Sequence, residues 1–325
     1  MRTTSSLSVV VPACDEVESV PILVDELVTV LRGIDCPWWE VVLVDDGSTD
    51  GTGEAMRRLA ALHPNVKVVL LRANFGKSAA LMAGFEQARG DIVFTMDADL
   101  QDSPQEIPAF IAMIEDGYDL VSGWKKTRHD PLEKRLASRL FNLVVRKVSG
   151  TTLHDANCGF KAYRRWCLDG LSLHGNQHRF VPAILSRRGA RIGEVEVRHQ
   201  ERRFGASKYG LSRYFHGAAD LATLILLTRF SQSPLYLFGF VALPFFLLGT
   251  LIGGYLGVNH VRNRIDPASG FPLNTRPMLI VAVFLLLTGL MIFLIGLLAE
   301  FVLRTGGGEK GYWVKEVVDK RPAPD

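Results

Sequence analysis

Short apolar runs recur along the first hundred residues. SLSVVVPA (6–13), WEVVLVDD (39–46), VKVVLLR (66–72) and DIVFTMDAD (91–99) are rich in Val, Ile, Leu and Phe, which suit buried strands. The segments between them, about 18–32, 52–62 and 78–88, read as helices. Continuous apolar strands separated by helices predict a mostly parallel sheet covered on both faces. In such sheets ligands bind at the carboxyl ends of the strands. Three of the four strand ends carry Pro, Asp or Glu: Pro12 to Glu16, Asp45 and Asp46, and Asp97 with Asp99.

The pattern changes after residue 230. Residues 233–259 and 277–299 contain no charged side chain. Each exceeds the about 20 helical residues that cross a hydrocarbon core of about 30 Å. A buried core helix rarely runs so long without a polar face, so two transmembrane helices are expected. Pro244 and the pair Gly253, Gly254 mark places where the first could kink or thin. Ahead of them, residues 211–230 place Tyr214, Phe215, Ala218, Leu221, Ile225 and Leu226 at helical spacing. Two readings fit this stretch: an amphipathic helix in the membrane interface, or one packed on the N-terminal domain. The expected organisation is a domain over 1–210, the amphipathic helix over 211–230, a two-helix hairpin over 233–303 and a tail over 304–325. Two spans return the chain to its starting side, which places residues 1–230 and the tail in the cytosol. Arg262, Arg264 and Arg276 in the connecting loop oppose the positive-inside rule, while Arg213, Arg229, Arg304, Lys310 and Lys315 support this orientation.

Composition agrees with a soluble domain joined to an apolar one. The 325 residues include 37 Lys and Arg against 34 Asp and Glu, a formal charge of +3, and 48% are hydrophobic. That excludes a disordered chain, a coiled coil and a collagen-like fibre. The N-terminal apolar run is too short for a signal peptide. Four cysteines form no CxxC pair and no zinc-ligand spacing, so free thiols in a reducing cytosol are expected. Basic side chains concentrate in 124–147 and 187–213. Lying close before the membrane segments, they suit anionic headgroups. No nucleic-acid-binding motif accompanies them, so nucleic acid is not an expected partner.

Asp97, Asp99 and Gln101 form a D-x-D-x-Q array in MDADLQDSP. Carboxylate oxygens at that spacing suit Mg²⁺ or Mn²⁺ held together with substrate phosphates. The same pattern is common in solvated turns, but here it follows a buried run. Asp45 and Asp46 can accept hydrogen bonds from a ribose hydroxyl or a base N–H. With Gly47 and Ser48 they also fit a plain strand-to-helix turn. No dinucleotide fingerprint and no phosphate-binding G-x-x-x-x-G-K-[ST] loop is present.

The segments VVPACDEVES, VLVDDGSTDGT, LRANFGKSAALMAGFEQARGD, MDADLQDSP, DANCGFKAYRR and RRFGASKYG occur in this order over about residues 7–210. Together they resemble the family 2 glycosyltransferases of the GT-A fold. Within that family the chain is similar to the polyprenyl-phosphate glycosyltransferases, which include dolichyl-phosphate mannose synthase and bacterial undecaprenyl-phosphate glucosyltransferases. The resemblance implies an α/β, Rossmann-like nucleotide-diphospho-sugar transferase domain ahead of the membrane helices. It implies an inverting, metal-dependent transfer of a hexose, from UDP-glucose or another UDP-hexose, to undecaprenyl phosphate at the cytosolic face of the cell membrane. Pro12, Cys14, Glu16, Asp45 and Asp46 then match positions lining the nucleotide pocket, together with Asp97, Ala98 and Asp99. Asp97, Asp99 and Gln101 match the ligands of Mg²⁺ or Mn²⁺. Arg202, with Arg203 an alternative one residue on, and Lys208 match the segment that contacts donor phosphate. Lys134, Arg135 and Ser138 resemble the group that holds the lipid phosphate, and Arg128 follows the strand where relatives carry another such contact. Asp155, His178 and Arg179 could orient sugar or acceptor, or only shape loops. The alternatives are a GDP-mannose-dependent synthase, a processive polysaccharide synthase and a non-catalytic membrane scaffold. Q-x-x-R-W is absent, which weighs against the second, and Asp97 and Asp99 are intact, which weighs against the third. A homo-oligomer is compatible with the sequence.

Overall fold

The computed structural model describes residues 1–126, 153–155, 157–198, 233–266 and 276–305. The chain divides into two compact units, Met1–Thr228 and Arg229–Asp325. The first contains a seven-stranded sheet built from β1 (Leu7–Ala13), β2 (Trp39–Asp45), β3 (Val66–Leu70), β4 (Ile92–Thr95), β5 (Leu120–Trp124), β6 (Lys161–Arg164) and β7 (Ile192–Glu196). Their spatial order is β3-β2-β1-β4-β6-β5-β7. The four N-terminal strands are parallel, β6 runs antiparallel to both of its neighbours, and β7 pairs parallel with β5.

Alternation along the strands sends successive side chains to opposite faces. Val9, Val11, Val41, Leu43 and Phe94 pack on one face. There they meet Leu23, Leu27 and Leu31 of α1 (Ser19–Arg32) and Phe110 and Ile111 of α4 (Ile107–Glu115). Val10, Val42, Val44 and Val93 pack on the other, against Leu81 and Phe85 of α3 (Lys77–Gln87) and Val181 and Leu185 of α5 (Val181–Arg187). Helix α2 (Thr52–Leu62) joins β2 to β3 and buries Met56 and Leu59.

Two strands are shorter than their apolar runs suggest. β3 ends at Leu70 rather than 72, and β4 ends at Thr95 rather than 99. The β4 ladder stops because of Pro12. Met96 N–H donates to Val10 O at 3.1 Å, and the next β1 residue facing β4 is Pro12, which has no N–H to offer. Asp97 and Asp99 therefore stand on a loop beyond the strand. Their placement comes from loop geometry and not from strand alternation.

Among the described residues the second unit holds two long helices, α6 (Pro234–Ile265) and α7 (Arg276–Thr305). Both are long and apolar enough to cross a membrane. Helix α6 runs without interruption through Pro244, Gly253 and Gly254 and continues past the uncharged stretch to include Arg262 and Arg264. Small residues seven apart line the contact: Ala242 and Gly249 on α6, Ala282, Gly289 and Gly296 on α7. A Cβ at Gly249 would lie 2.9 Å from Leu286 Cγ, and one at Gly296 would lie 2.5 Å from Phe238 Cβ. Close backbone approach through small residues is how helices associate in lipid. Phe240, Leu247, Leu251, Phe284, Met291 and Leu298 point outward. The amphipathic stretch 211–230, the connecting segment 267–275 and the tail from 306 lie outside the described residues.

Candidate functional site

The carboxyl ends of β1, β2 and β4 are knitted together by short polar links. After β1, Asp15 adopts φ 56°. Its N–H donates to Ser48 Oγ at 2.9 Å, and its Oδ1 accepts from Thr49 N–H at 2.9 Å. Glu16 N–H donates to Thr52 Oγ1 at 2.8 Å, and Ser19 Oγ donates to Glu16 Oε2 at 2.7 Å. Asp45 and Asp46 are buried. Asp45 Oδ1 accepts from Ser48 N–H at 3.1 Å, and Asp46 N–H donates to Ala13 O at 2.9 Å. Gly47 has φ 68°, and a Cβ there would lie 2.3 Å from the carbonyl carbon of Ala73. Only glycine lets the β2 turn touch the loop that follows β3.

That loop is tied to the same corner. Asp46 accepts from Phe75 N–H at 2.8 Å and Gly76 N–H at 3.0 Å, one on each carboxylate oxygen. Asn74 Nδ2 donates to Cys14 Sγ at 3.2 Å. Gly76, φ 89°, then turns the chain into α3, and Lys77 at its first residue pairs with Asp97 Oδ1. The next residue, buried Ser78, meets His178 twice: His178 N–H donates to Ser78 Oγ at 3.2 Å, and Ser78 Oγ lies 3.0 Å from His178 Nδ1. Burial and the neighbouring Lys77 ammonium push His178 down to about 3, so the imidazole is neutral.

Asp97 and Asp99 face opposite electrostatics although two residues apart. Burial would raise Asp97, but the Lys77 ammonium overrides it and holds the carboxyl at about 2. Burial and the negative charge of Asp97 raise Asp99 to about 6. Leu100, buried between Asp99 and Gln101, has φ 60°. A branched side chain in that region is strained by about 1–3 kcal/mol. Asp15 and Leu100 are the two non-glycine residues with positive φ among the described residues, and both stand at this site. Gln101 N–H donates to Asp99 Oδ1 at 3.2 Å. Asp102 is buried and pairs with Lys125 Nζ at 2.7 Å. Across the loop, a Cβ at Gly159 would lie 2.4 Å from Asp97 Oδ2, while Thr95 Oγ1 donates to Gly159 O at 2.8 Å. Lys161, on β6 opposite Thr95, is buried with its ammonium on Cys158 O. Burial lowers its pKa.

Among the sequence-predicted residues, Pro12, Cys14, Glu16, Asp45, Asp46, Asp97, Ala98, Asp99 and Gln101 all fall at the carboxyl ends of β1, β2 and β4 or on the loops directly after them. His178 joins them through Ser78. Arg128, Lys134, Arg135, Ser138, Arg202, Arg203 and Lys208 lie outside the described residues. The cation on Asp97 is Lys77, which the sequence presents within LRANFGKSAAL with no local mark of its role. The close contact of Gly159 with Asp97 was equally hidden, because 62 residues separate them.

Among the described residues no three His, Cys, Asp or Glu side chains form a metal cage. The acid loop nevertheless suits a hard cation. Among the described residues Asp97 pairs with Lys77 and Asp102 with Lys125, while Asp99 has no ion pair of its own. Mg²⁺-type sites take one or two protein carboxylates and complete their shell with water and substrate phosphate. Asp97 and Asp99 provide that number, with Gln101 beside them.

Residues 8–170 match the family described as Glycosyl transferase family 2. Among curated proteins, a dodecaprenyl-phosphate galacturonate synthase from Rhizobium johnstonii is 37% identical over 322 residues, covering 96% of this chain and 93% of its own. An undecaprenyl-phosphate 4-deoxy-4-formamido-L-arabinose transferase from Pectobacterium carotovorum is 37% identical over 250 residues, covering 77% of this chain and 76% of its own. Among solved structures, the chain is similar to glucosyl-3-phosphoglycerate synthase from Mycobacterium tuberculosis in complex with Mn²⁺, UDP-glucose and phosphoglyceric acid. That likeness has TM-score 0.52 at 20% identity and covers 69% of this chain and 79% of that one. It bears on the fold, a GT-A-like mostly parallel mixed sheet.

Proposed function

The chain belongs to glycosyl transferase family 2, and from that premise we propose that it transfers a sugar from a nucleotide-diphosphate donor to the phosphate of a membrane polyprenol. One observation carries the reading: similarity to a dodecaprenyl-phosphate galacturonate synthase runs through 96% of the chain, taking in both the acid loop and the apolar helices. The proposed orientation sets the folded domain on the cytosolic side of the cell membrane, with the two apolar helices as its spans. A UDP-linked hexose is the proposed donor, and a galacturonate donor stands beside it because of the relative's name.

In this reading the nucleotide lies along the carboxyl ends of β1 and β2, at Pro12, Cys14, Glu16, Asp45 and Asp46, and its diphosphate reaches Asp97 to Gln101. A divalent cation, Mg²⁺ or Mn²⁺, held by Asp97 and Asp99 would neutralise charge on the departing nucleoside diphosphate. Lys77 adds a cation at the N-terminus of α3, where backbone N–H groups also favour phosphate. Arg202 and Lys208 are proposed to reach the same phosphates. Lys134, Arg135, Ser138 and Arg128 are proposed to hold the acceptor phosphate. That phosphate is its own nucleophile: its second pKa is about 6, so it is largely ionised near neutral pH and needs no strong general base. Its oxygen attacks the anomeric carbon opposite the leaving diphosphate, and configuration inverts.

The test is transfer by the full chain in detergent with Mg²⁺ or Mn²⁺, undecaprenyl phosphate and a panel of UDP-hexoses, UDP-galacturonate and GDP-mannose. Sugar appearing in the lipid phase, and lost with EDTA and in Asp99→Ala, is the expected result. No transfer from any donor together with no nucleotide binding would refute the reading.

A further inference from the structure

We propose that Phe75 is the stacking platform for the donor's nucleobase, an inference that rests on the nucleotide-sugar reading above. Phe75 is 65% exposed, more than any other described Phe, Tyr or Trp of the first unit. A single exposed apolar side chain is ordinary. This one differs because the backbone beneath it is clamped. Its own N–H and that of Gly76 are both taken by the buried Asp46 carboxylate, at 2.8 and 3.0 Å. The preceding Asn74 is fastened to Cys14 Sγ at 3.2 Å. Gly47 packs so closely beneath that a Cβ there would lie 2.5 Å from Asn74 N and 2.3 Å from the carbonyl carbon of Ala73. The ring is thus solvent-facing on an anchored backbone, which is how an aromatic side chain offers contact area at low cost in lost rotamer freedom.

Its position selects the ligand. The loop is fixed on one side to the ends of β1 and β2, through Cys14 and Asp46. Two residues after Phe75, Lys77 pairs with Asp97 at the acid loop. A nucleoside diphosphate lying from the β1–β2 corner to Asp97 runs beside this loop, with its base at the Phe75 end. Cys14, at the same corner, carries a thiol and has no π face. Every nucleobase has one, so a ring here strengthens binding without choosing among bases.

The test uses the full chain in detergent, titrated with UDP, GDP and pyrophosphate, for the wild type and for Phe75→Ala and Phe75→Trp. Loss of a base-stacking ring weakens binding roughly 5- to 150-fold. Phe75→Ala should weaken nucleotide binding by at least about fivefold and leave pyrophosphate binding unchanged. Phe75→Trp should restore nucleotide affinity, with its fluorescence altered on binding. An unchanged nucleotide affinity in Phe75→Ala overturns the inference and leaves the function standing. Equal losses for nucleotide and pyrophosphate overturn it too, because they would mark the ring as a support for the loop. Failure of the wild type to bind any nucleoside diphosphate overturns both readings.

Discussion

Replacing Lys125 by Met tests how the acid loop is held in place. Lys125 Nζ lies 2.7 Å from Asp102 Oδ1, with side chains only 13% and 1% exposed. The second Asp102 oxygen has no hydrogen-bond partner among the described residues. Burial alone would lower the Lys125 pKa, but the Asp102 carboxylate raises it instead, so the ammonium stays charged and each partner depends on the other. Lys125→Met keeps the length of the side chain and leaves a carboxylate where water scarcely reaches. Removing one member of a buried pair costs about 3–5 kcal/mol. For a unit of this size that corresponds to a fall of roughly 6–20 °C in the midpoint of thermal unfolding. The pair itself need not be stabilising, because an apolar replacement of similar volume is often neutral. Lys125→Met combined with Asp102→Leu should therefore regain most of the loss, with a coupling of at least about 2 kcal/mol in the double-mutant cycle. Thermal and urea unfolding of the detergent-purified chain, followed by circular dichroism, reads both. A shift below about 2 °C for Lys125→Met, or additive effects of the two substitutions, would refute the reasoning.

Gly159→Ala would push its new methyl against Asp97 Oδ2, 2.4 Å from the Cβ position; if Asp97 acts as proposed, a displacement of about 1 Å costs roughly 10²-fold, so transfer should fall at least tenfold, read by lipid-phase product. Gly296→Val would set its Cβ 2.5 Å from Phe238 Cβ and should destabilise the helical hairpin by about 1–3 kcal/mol; an unchanged thermal midpoint in detergent would count against the packing. Glu40 is held below the usual glutamate range: burial raises it, but Lys67 at 2.9 Å, Ser8 Oγ at 2.8 Å and Arg89 N–H at 2.7 Å together lower it. Its contribution to stability is present above the unfolded pKa, about 4.3, and is lost as pH falls through the lower folded value. The thermal midpoint of Glu40→Gln should therefore depend less steeply on pH between 6 and 3 than that of the wild type, and an identical slope would sink the assignment.

The apolar runs located β1 to β4 and the helices between them to within a few residues, because a doubly covered parallel sheet makes each strand apolar along its whole length. The same reasoning overran β4, since Met96 and Ala98 are buried like strand residues although they lie on a loop. The second half of the sheet was far less legible. β6 is four residues long and begins with a buried Lys161, so its run KAYR does not read as a core strand. Its antiparallel direction depends on pairing with β4 and β5, about 70 and 40 residues earlier in the chain.

The class of chemistry was legible in the chain through six ordered segments that resemble family 2 glycosyltransferases. Asp97, Asp99 and Gln101, the acids after β1 and β2, and two uncharged stretches are local patterns visible in the chain. Tertiary structure alone decided how the acids are charged. It placed Lys77 on Asp97, Lys125 on Asp102 and Gly159 behind Asp97, and gave Asp99 no ion pair among the described residues. It also turned Asp46 toward the backbone of Phe75 and Gly76. Side-chain charge and hydrogen bonding depend on distances of a few ångströms between residues 20 to 62 positions apart. Closing such loops is settled by packing of the whole sheet, and no local pattern in the chain records it.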